Sequence, residues 1–259
     1  PFYVEEVVRA LLDAEAVELH EGRFRATERI HAFVVPGTIQ EVVTARLDRL
    51  DTEKRRILQI ASVIGGSFHR DVLEEIHGEA QLDARIAELQ QGAFLEASDR
   101  SAGVEYGFKH PLIQEVTYDG ILQARREELH REVALAMERR LPADLAGREG
   151  MLAYHWSLGR DAERAEDHLF RAGDEAARAA GSSEALHFFR EASRLYFDLH
   201  GEGGDPVKKA RLQRSIASAL YYRGQLVDAV EAFSDAMESL GERVPRRQPA
   251  MALRFVPNL

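Results

Sequence analysis

The feature that most constrains this chain is a series of helical segments from about Gly147 to Gly241, alanine-rich, with small residues where two helices must approach closely. The clearest unit contains Ile216, Ala217, Leu220, Gly224, Leu226, Ala229, Phe233 and Ala236. Two looser copies precede it: Gly159, Ala165, Leu169 and Ala172, and then Gly181, Ala185, Phe189 and Ala192. A helix pair of this kind cannot bury its apolar side alone, so the pairs must stack on one another.

The order of small residue, aromatic and glycine in the third copy is that of a tetratricopeptide repeat, and it predicts an α-solenoid with a concave face. An irregular helical bundle is the alternative. Ala185 and Ala229 are 44 positions apart (229 − 185), against a period of about 34, so HGEGGDPVKK, residues 200–209, is expected to loop out the excess. Phe188, Phe189, Tyr196, Phe197, Tyr221, Tyr222 and Phe233 are assigned mainly to the repeat core, with some available to a peptide groove.

Upstream, Val4, Val7, Val8, Leu11 and Leu12 recur at helical spacing, and Val17 to Ala26 reads as a small hairpin about Glu21-Gly22. Ile39, Val42, Val43, Leu47 and Leu50 form one apolar stripe. Asp51-Thr52 caps the next helix, which Gly65-Gly66 stops. Helices over 70–77 and 81–91 lead to FLEAS, DRSAG and VEYGFKH, read as strand, turn and strand.

This order predicts a small winged-helix domain with a two-stranded wing, about Pro36 to Leu122 and extended by linking helices to residue 146. The fold class is therefore mainly α. Arg85 is matched by Asp83 and Glu88, and Arg100 by Asp99 and Glu105, so neither helix nor turn has the cationic surplus that phosphate neutralisation requires.

The net charge of −10 argues against a general binder of nucleic acid or anionic membrane. There is no cysteine, which excludes thiolate chemistry and fits a cytoplasmic location. No apolar run approaches the roughly 18 residues of a spanning helix, so no membrane partner is expected. A chain that opens at Pro1 and closes on MALRFVPNL reads as an internal fragment of a longer polypeptide.

No phosphate loop G-x-x-x-x-G-K-[ST] is present, Ser67 lacks the G-x-S-x-G elbow, and the ten histidines produce no dense ligand spacing. Catalytic and metal-binding residues are therefore assigned as none. Glu5-Glu6, Glu74-Glu75 and Glu127-Glu128 are expected on solvated faces, because helical neighbours point about 100° apart. Arg125-Arg126 and Arg139-Arg140 share a helix with glutamates and are given no ligand.

His110 and Pro111 carry the remaining chemistry. Proline suits the first helical position, which makes His110 the cap. Free N–H groups at a helix start favour anions, so His110 could add a side-chain donor to a phosphate site. A histidine that only caps its own helix is the alternative.

With PFYVEEVVRAL, VPGTIQEVVTARLDRLDTEKRRILQIASVIGGSF and YGFKHPLIQEVTY in this order, the chain resembles the STAND-class signal-transduction ATPases. More narrowly, it resembles the large bacterial predicted ATPases that are often joined to class III adenylate/guanylate cyclase or helix-turn-helix regulator domains. The resemblance implies that residues 1–35 end an ATPase module, 36–146 hold the winged helix, 147–241 the repeats, and 242–259 a linker or further helix. It makes Pro1 the candidate base-contacting residue, as the end of a G-x-P-type motif, and His110 the candidate phosphate sensor. ATP or ADP would be held mainly by an upstream domain, with the ATPase core in cis as partner. The repeats would bind a protein partner or effector, and a nucleotide-dependent oligomer is possible. The resemblance implies a switch, closed with ADP and released by ATP. A plain interaction scaffold and a DNA-binding regulator are the rivals.

Overall fold

The computed structural model describes residues 2–20, 22–32, 37–78, 81–98 and 105–242. They are mainly helical and fall into two compact units, Pro1–Arg140 and Leu141–Leu259.

In the first unit, α1 (Phe2–Asp13) leads to a hairpin of β1 (Val17–His20) and β2 (Arg23–Ala26), then to a 3-10 turn at Glu28–Ala32. Two capped helices follow. Thr38 starts α2 (Ile39–Asp48) with a reciprocal capping box: its hydroxyl accepts from the Glu41 N–H at 3.2 Å, and the Glu41 carboxylate accepts from the Thr38 N–H at 3.3 Å. Asp51 starts α3 (Thr52–Ile64) by accepting from the Lys54 N–H at 2.9 Å. The chain then forms β3 (Ser67–His69), α4 (Arg70–His77), α5 (Leu82–Gln91), β4 (Leu95–Ser98), β5 (Glu105–Phe108), α6 (Pro111–Asp119) and α7 (Gln123–Arg140).

The expected pair of strands is part of a three-stranded antiparallel sheet of order β3-β5-β4, with Phe68 opposite Tyr106 and Leu95 opposite Phe108. The third strand, β3, is only three residues long and was not expected from the sequence. His69 does precede α4, but its side chain makes no capping bond. Ile57, Leu58, Ile60 and Ala61 bury α3 at the centre, and Phe68 and Phe108 meet edge to face at 6.4 Å beneath the sheet.

In the second unit, α8 (Arg148–Leu158), α9 (Ala162–Arg178), α10 (Ser182–His200), α11 (Pro206–Tyr222) and α12 (Leu226–Ser239) each pack on the next. Three-residue connections at 159–161, 179–181 and 223–225 cannot span a helix about 25 Å long. Neighbours joined in this way are therefore antiparallel.

Each of these connections closes identically. Arg160, Ala180 and Gly224 adopt φ of +57°, +61° and +75°, and the next N–H bonds back to Trp156, Ala176 and Leu220 at 3.0, 2.8 and 3.0 Å. Aligned on these residues, the copies share Ala165, Ala185 and Ala229 five positions later. Gly159 and Gly181 are thus not the equivalents of Gly224, since both have negative φ. The first two copies also share α9, because their alanines are 20 residues apart (185 − 165), less than one helix pair.

Residues 200–209 are not the expected loop. His200 ends α10, a 3-10 turn covers Gly201–Gly203, and Pro206 already begins α11. The excess lengthens helices. Gly173 lets α9 and α10 close up, since a Cβ there would lie 2.5 Å from a ring carbon of Phe189. Among the aromatics, Phe189 and Tyr196 are core, whereas Tyr221, Tyr222 and Phe233 are exposed and correct that assignment.

Candidate functional site

Pro1 lies outside the described residues. His110 is half-buried where β5 gives way to α6. The sheet extends to this point, as Phe108 N–H bonds to Gly66 O and Lys109 N–H to Phe94 O, both at 3.0 Å. With His110 extended and Pro111 at the first helical position, the Leu112 N–H donates to His110 Nδ1 at 3.2 Å. A neutral ring accepting at Nδ1 carries its hydrogen on Nε2, so this tautomer keeps donor character on the other edge.

The rest of α6 is anchored from behind. Gln114 donates to Ser62 O at 3.0 Å, tying α6 to α3, and Tyr118 Oη lies 3.0 Å from His130 Nε2 on α7. His130 is buried, and desolvation, with the nearby Arg126 charge, pushes its pKa down to about 4. It is therefore neutral at pH 7.

A second feature went unread in the sequence. Arg46 is buried with its side chain 1% exposed, and it pairs with Glu6, 2% exposed. Its Nε donates to Asp13 at 3.0 Å, one terminal nitrogen donates to Gly92 O at 2.6 Å, and the guanidinium sits 4.5 Å from the centre of the Phe94 ring. Arg49 adds a bond to Ala10 O at 3.1 Å. One side chain from α2 thus holds α1 and the turn leading from α5 into β4. Glu6 is not on a solvated face as expected, because α1 turns that side onto α2. The signal was present: Arg46 sits four places after Val42 and three after Val43, inside the apolar stripe.

Both basic pairs are engaged by carboxylates, Arg125 within α7 as the mixed-sign pattern implied, but Arg139 and Arg140 across to α4. Arg125 pairs with Glu128 and Glu132, while Arg139 and Arg140 both reach Glu75. On α5, Arg85 is held near Asp51 and Glu88.

In the second unit a cavity of about 500 Å³ opens between α9, α10 and α11, with Asp174, Arg214 and Tyr222 around small residues such as Ser182 and Ser218. Tyr222 is 79% exposed, and Val227 on α12 is 82% exposed. Among the described residues no group of three or more His, Cys, Asp or Glu is placed to hold a metal ion. No helix among them is long and apolar enough to cross a membrane.

No family model matches the chain. An uncharacterized protein of Rhizobium meliloti (strain 1021) is 25% identical over 201 residues, covering 75% of this chain and 19% of that protein. The chain therefore spans about a fifth of that relative's length. A Signal Transduction ATPase with Numerous Domains protein from Pyrococcus horikoshii, with a tetratricopeptide repeat sensor, aligns at 11% identity and a TM-score of 0.45, over 81% of this chain and 35% of that one.

Proposed function

We propose that this chain is the regulatory and sensor segment of an ATP-dependent signalling protein of the STAND class. The first unit is a winged-helix module that senses the nucleotide of an upstream ATPase core, and the second is a tetratricopeptide-like array that binds an effector. The segment is itself non-catalytic. Its output passes through a cyclase or DNA-binding domain elsewhere in the polypeptide.

The observation that carries this reading is the buried Arg46 network. By the sequence resemblance, α1 is the helix that follows the base-contacting Pro1, and Arg46 fastens that helix to the element leading into the sheet. Movement at the start of α1 is thereby felt in the module that carries His110. The His110 geometry supports the same reading, since Nδ1 serves the cap and Nε2–H is the donor suited to a phosphate oxygen. With ADP bound, His110 would hold the module closed; ATP would release it through unequal affinity for the two states.

A histidine–phosphate bond has the strength of a hydrogen bond to a charged group, about 1.5–3 kcal/mol. His110→Ala in the polypeptide containing the ATPase core should therefore weaken ADP binding by roughly 10- to 100-fold, measured by nucleotide titration. Unchanged affinity and unchanged output would remove the sensor role. An interaction scaffold is the second reading, favoured by the exposed apolar side chains Tyr222 and Val227. The DNA-binding alternative loses support from the engagement of Arg85 by carboxylates.

A further inference from the structure

Between α9 and the start of α11 lies a second, separate cavity of about 330 Å³, within the size range of small-molecule sites. Its lining includes Glu166, whose side chain is only 3% exposed. One carboxylate oxygen of Glu166 pairs with Lys208 in the first turn of α11. The other, Oε1, is buried and has no hydrogen-bond partner among the described residues. A buried carboxylate oxygen without a donor is costly, and it marks a place where a donor from outside is strongly favoured.

The remaining walls restrict what that donor can belong to. Asp205 accepts from the Val207 N–H at 3.0 Å as the cap of α11, and Asp167 pairs with Arg171 at 2.6 Å. Arg211 spreads its guanidinium over the Phe170 ring at 4.3 Å and has no carboxylate partner among the described residues. Three carboxylates and two cations line the cavity, so a simple anion meets net negative charge. A purely apolar guest leaves Glu166 unsatisfied. By charge, an ammonium complements the Glu166 carboxylate and a carboxylate complements Arg211, while the Phe170 side suits an aliphatic chain.

We propose that this cavity binds a small zwitterion of the α-amino acid class, with its ammonium on Glu166 and its carboxylate on Arg211. This rests on the reading of the second unit as the effector-binding part and names the chemical class of that effector. Its test is direct binding to the whole chain, which involves neither nucleotide nor His110 and so succeeds or fails independently of the switch.

L-Leucine, n-pentylamine and pentanoate are titrated calorimetrically against the full chain and against Glu166→Gln and Arg211→Met, each verified as folded by circular dichroism. L-Leucine is expected to bind one per chain, pentylamine at least tenfold more weakly, and pentanoate not at all. Glu166→Gln should lose L-leucine binding by more than tenfold. Arg211→Met, a change at an exposed position, should weaken L-leucine about tenfold and leave pentylamine unchanged. Absence of saturable L-leucine binding overturns the proposal, and so does equal affinity for L-leucine and pentylamine. If Glu166→Gln does not fold, the Arg211→Met comparison decides: undiminished L-leucine binding overturns the proposal.

Discussion

Arg46 shows how much one side chain can constrain. A buried ion pair is weak evidence of net stability, because desolvation of both charges offsets their attraction, yet removing one partner strands the other. Arg46→Ala would leave Glu6 buried without its cation and Gly92 O without its donor. A loss of about 3–5 kcal/mol is expected, measurable by urea denaturation. Arg46→Met combined with Glu6→Leu should recover most of that loss while removing the linkage between α1 and the α5–β4 turn. His130 acts through protonation. Its folded pKa of about 4 lies below the 6.5 of an ordinary histidine, so between these values the unfolded chain binds more protons. Stability is fully present above pH 6.5 and falls as pH is lowered toward 4. Burial lowers the pKa of His77 as well, which adds to the same slope. His130→Gln should flatten the dependence of stability on pH across this window, as followed by denaturation at pH 7, 6, 5 and 4.

At the scale of elements, the turns of the second unit make a sharper prediction. Arg160 and Ala180 occupy a left-handed conformation that costs a residue with a Cβ about 1 kcal/mol and glycine almost nothing. Ala180→Gly should therefore stabilise the chain by up to about 1 kcal/mol, seen as a raised thermal midpoint. Gly173→Ala should do the reverse. Overpacking against Phe189 costs about 1–3 kcal/mol, and the gain in helix propensity of about 1 kcal/mol offsets only part of it. These elements were unevenly legible in the sequence. The Asp51 and His110-Pro111 caps could be read because capping is local chemistry carried by the residue itself. The left-handed Arg160 and Ala180 could not, because tertiary packing imposes that conformation on residues that do not prefer it. For the same reason Gly159 and Gly181 drew the alignment of the copies one place away. With three residues, β3 carries too little periodicity to announce itself, and its pairing with β5 is a long-range fact. The candidate site divides likewise: His110 follows from a local motif, while Arg46 needs its partners on α1 and beside Phe94 to be recognised.

For the whole molecule, magnitudes decide what His110 can do alone. Moving a two-state equilibrium from 1:99 to 99:1 takes about 5.5 kcal/mol of differential binding. One hydrogen bond to a phosphate supplies about 1.5–3 kcal/mol, so in the proposed switch the histidine would bias the equilibrium without throwing it. In the proposed switch the remainder would come from other nucleotide contacts and from ligand on the repeats, acting on the same equilibrium. The central claim is that the nucleotide engages the ring of His110, and the Leu112 amide reports on it because that N–H bonds to Nδ1. Amide hydrogen exchange at the start of α6 should be measured in the polypeptide containing the ATPase core, with ADP and then with ATP. Exchange about tenfold slower with ADP is the expected result, corresponding to about 1.4 kcal/mol of added protection. Equal rates with the two nucleotides would contradict engagement of His110 and leave an ordinary helix cap.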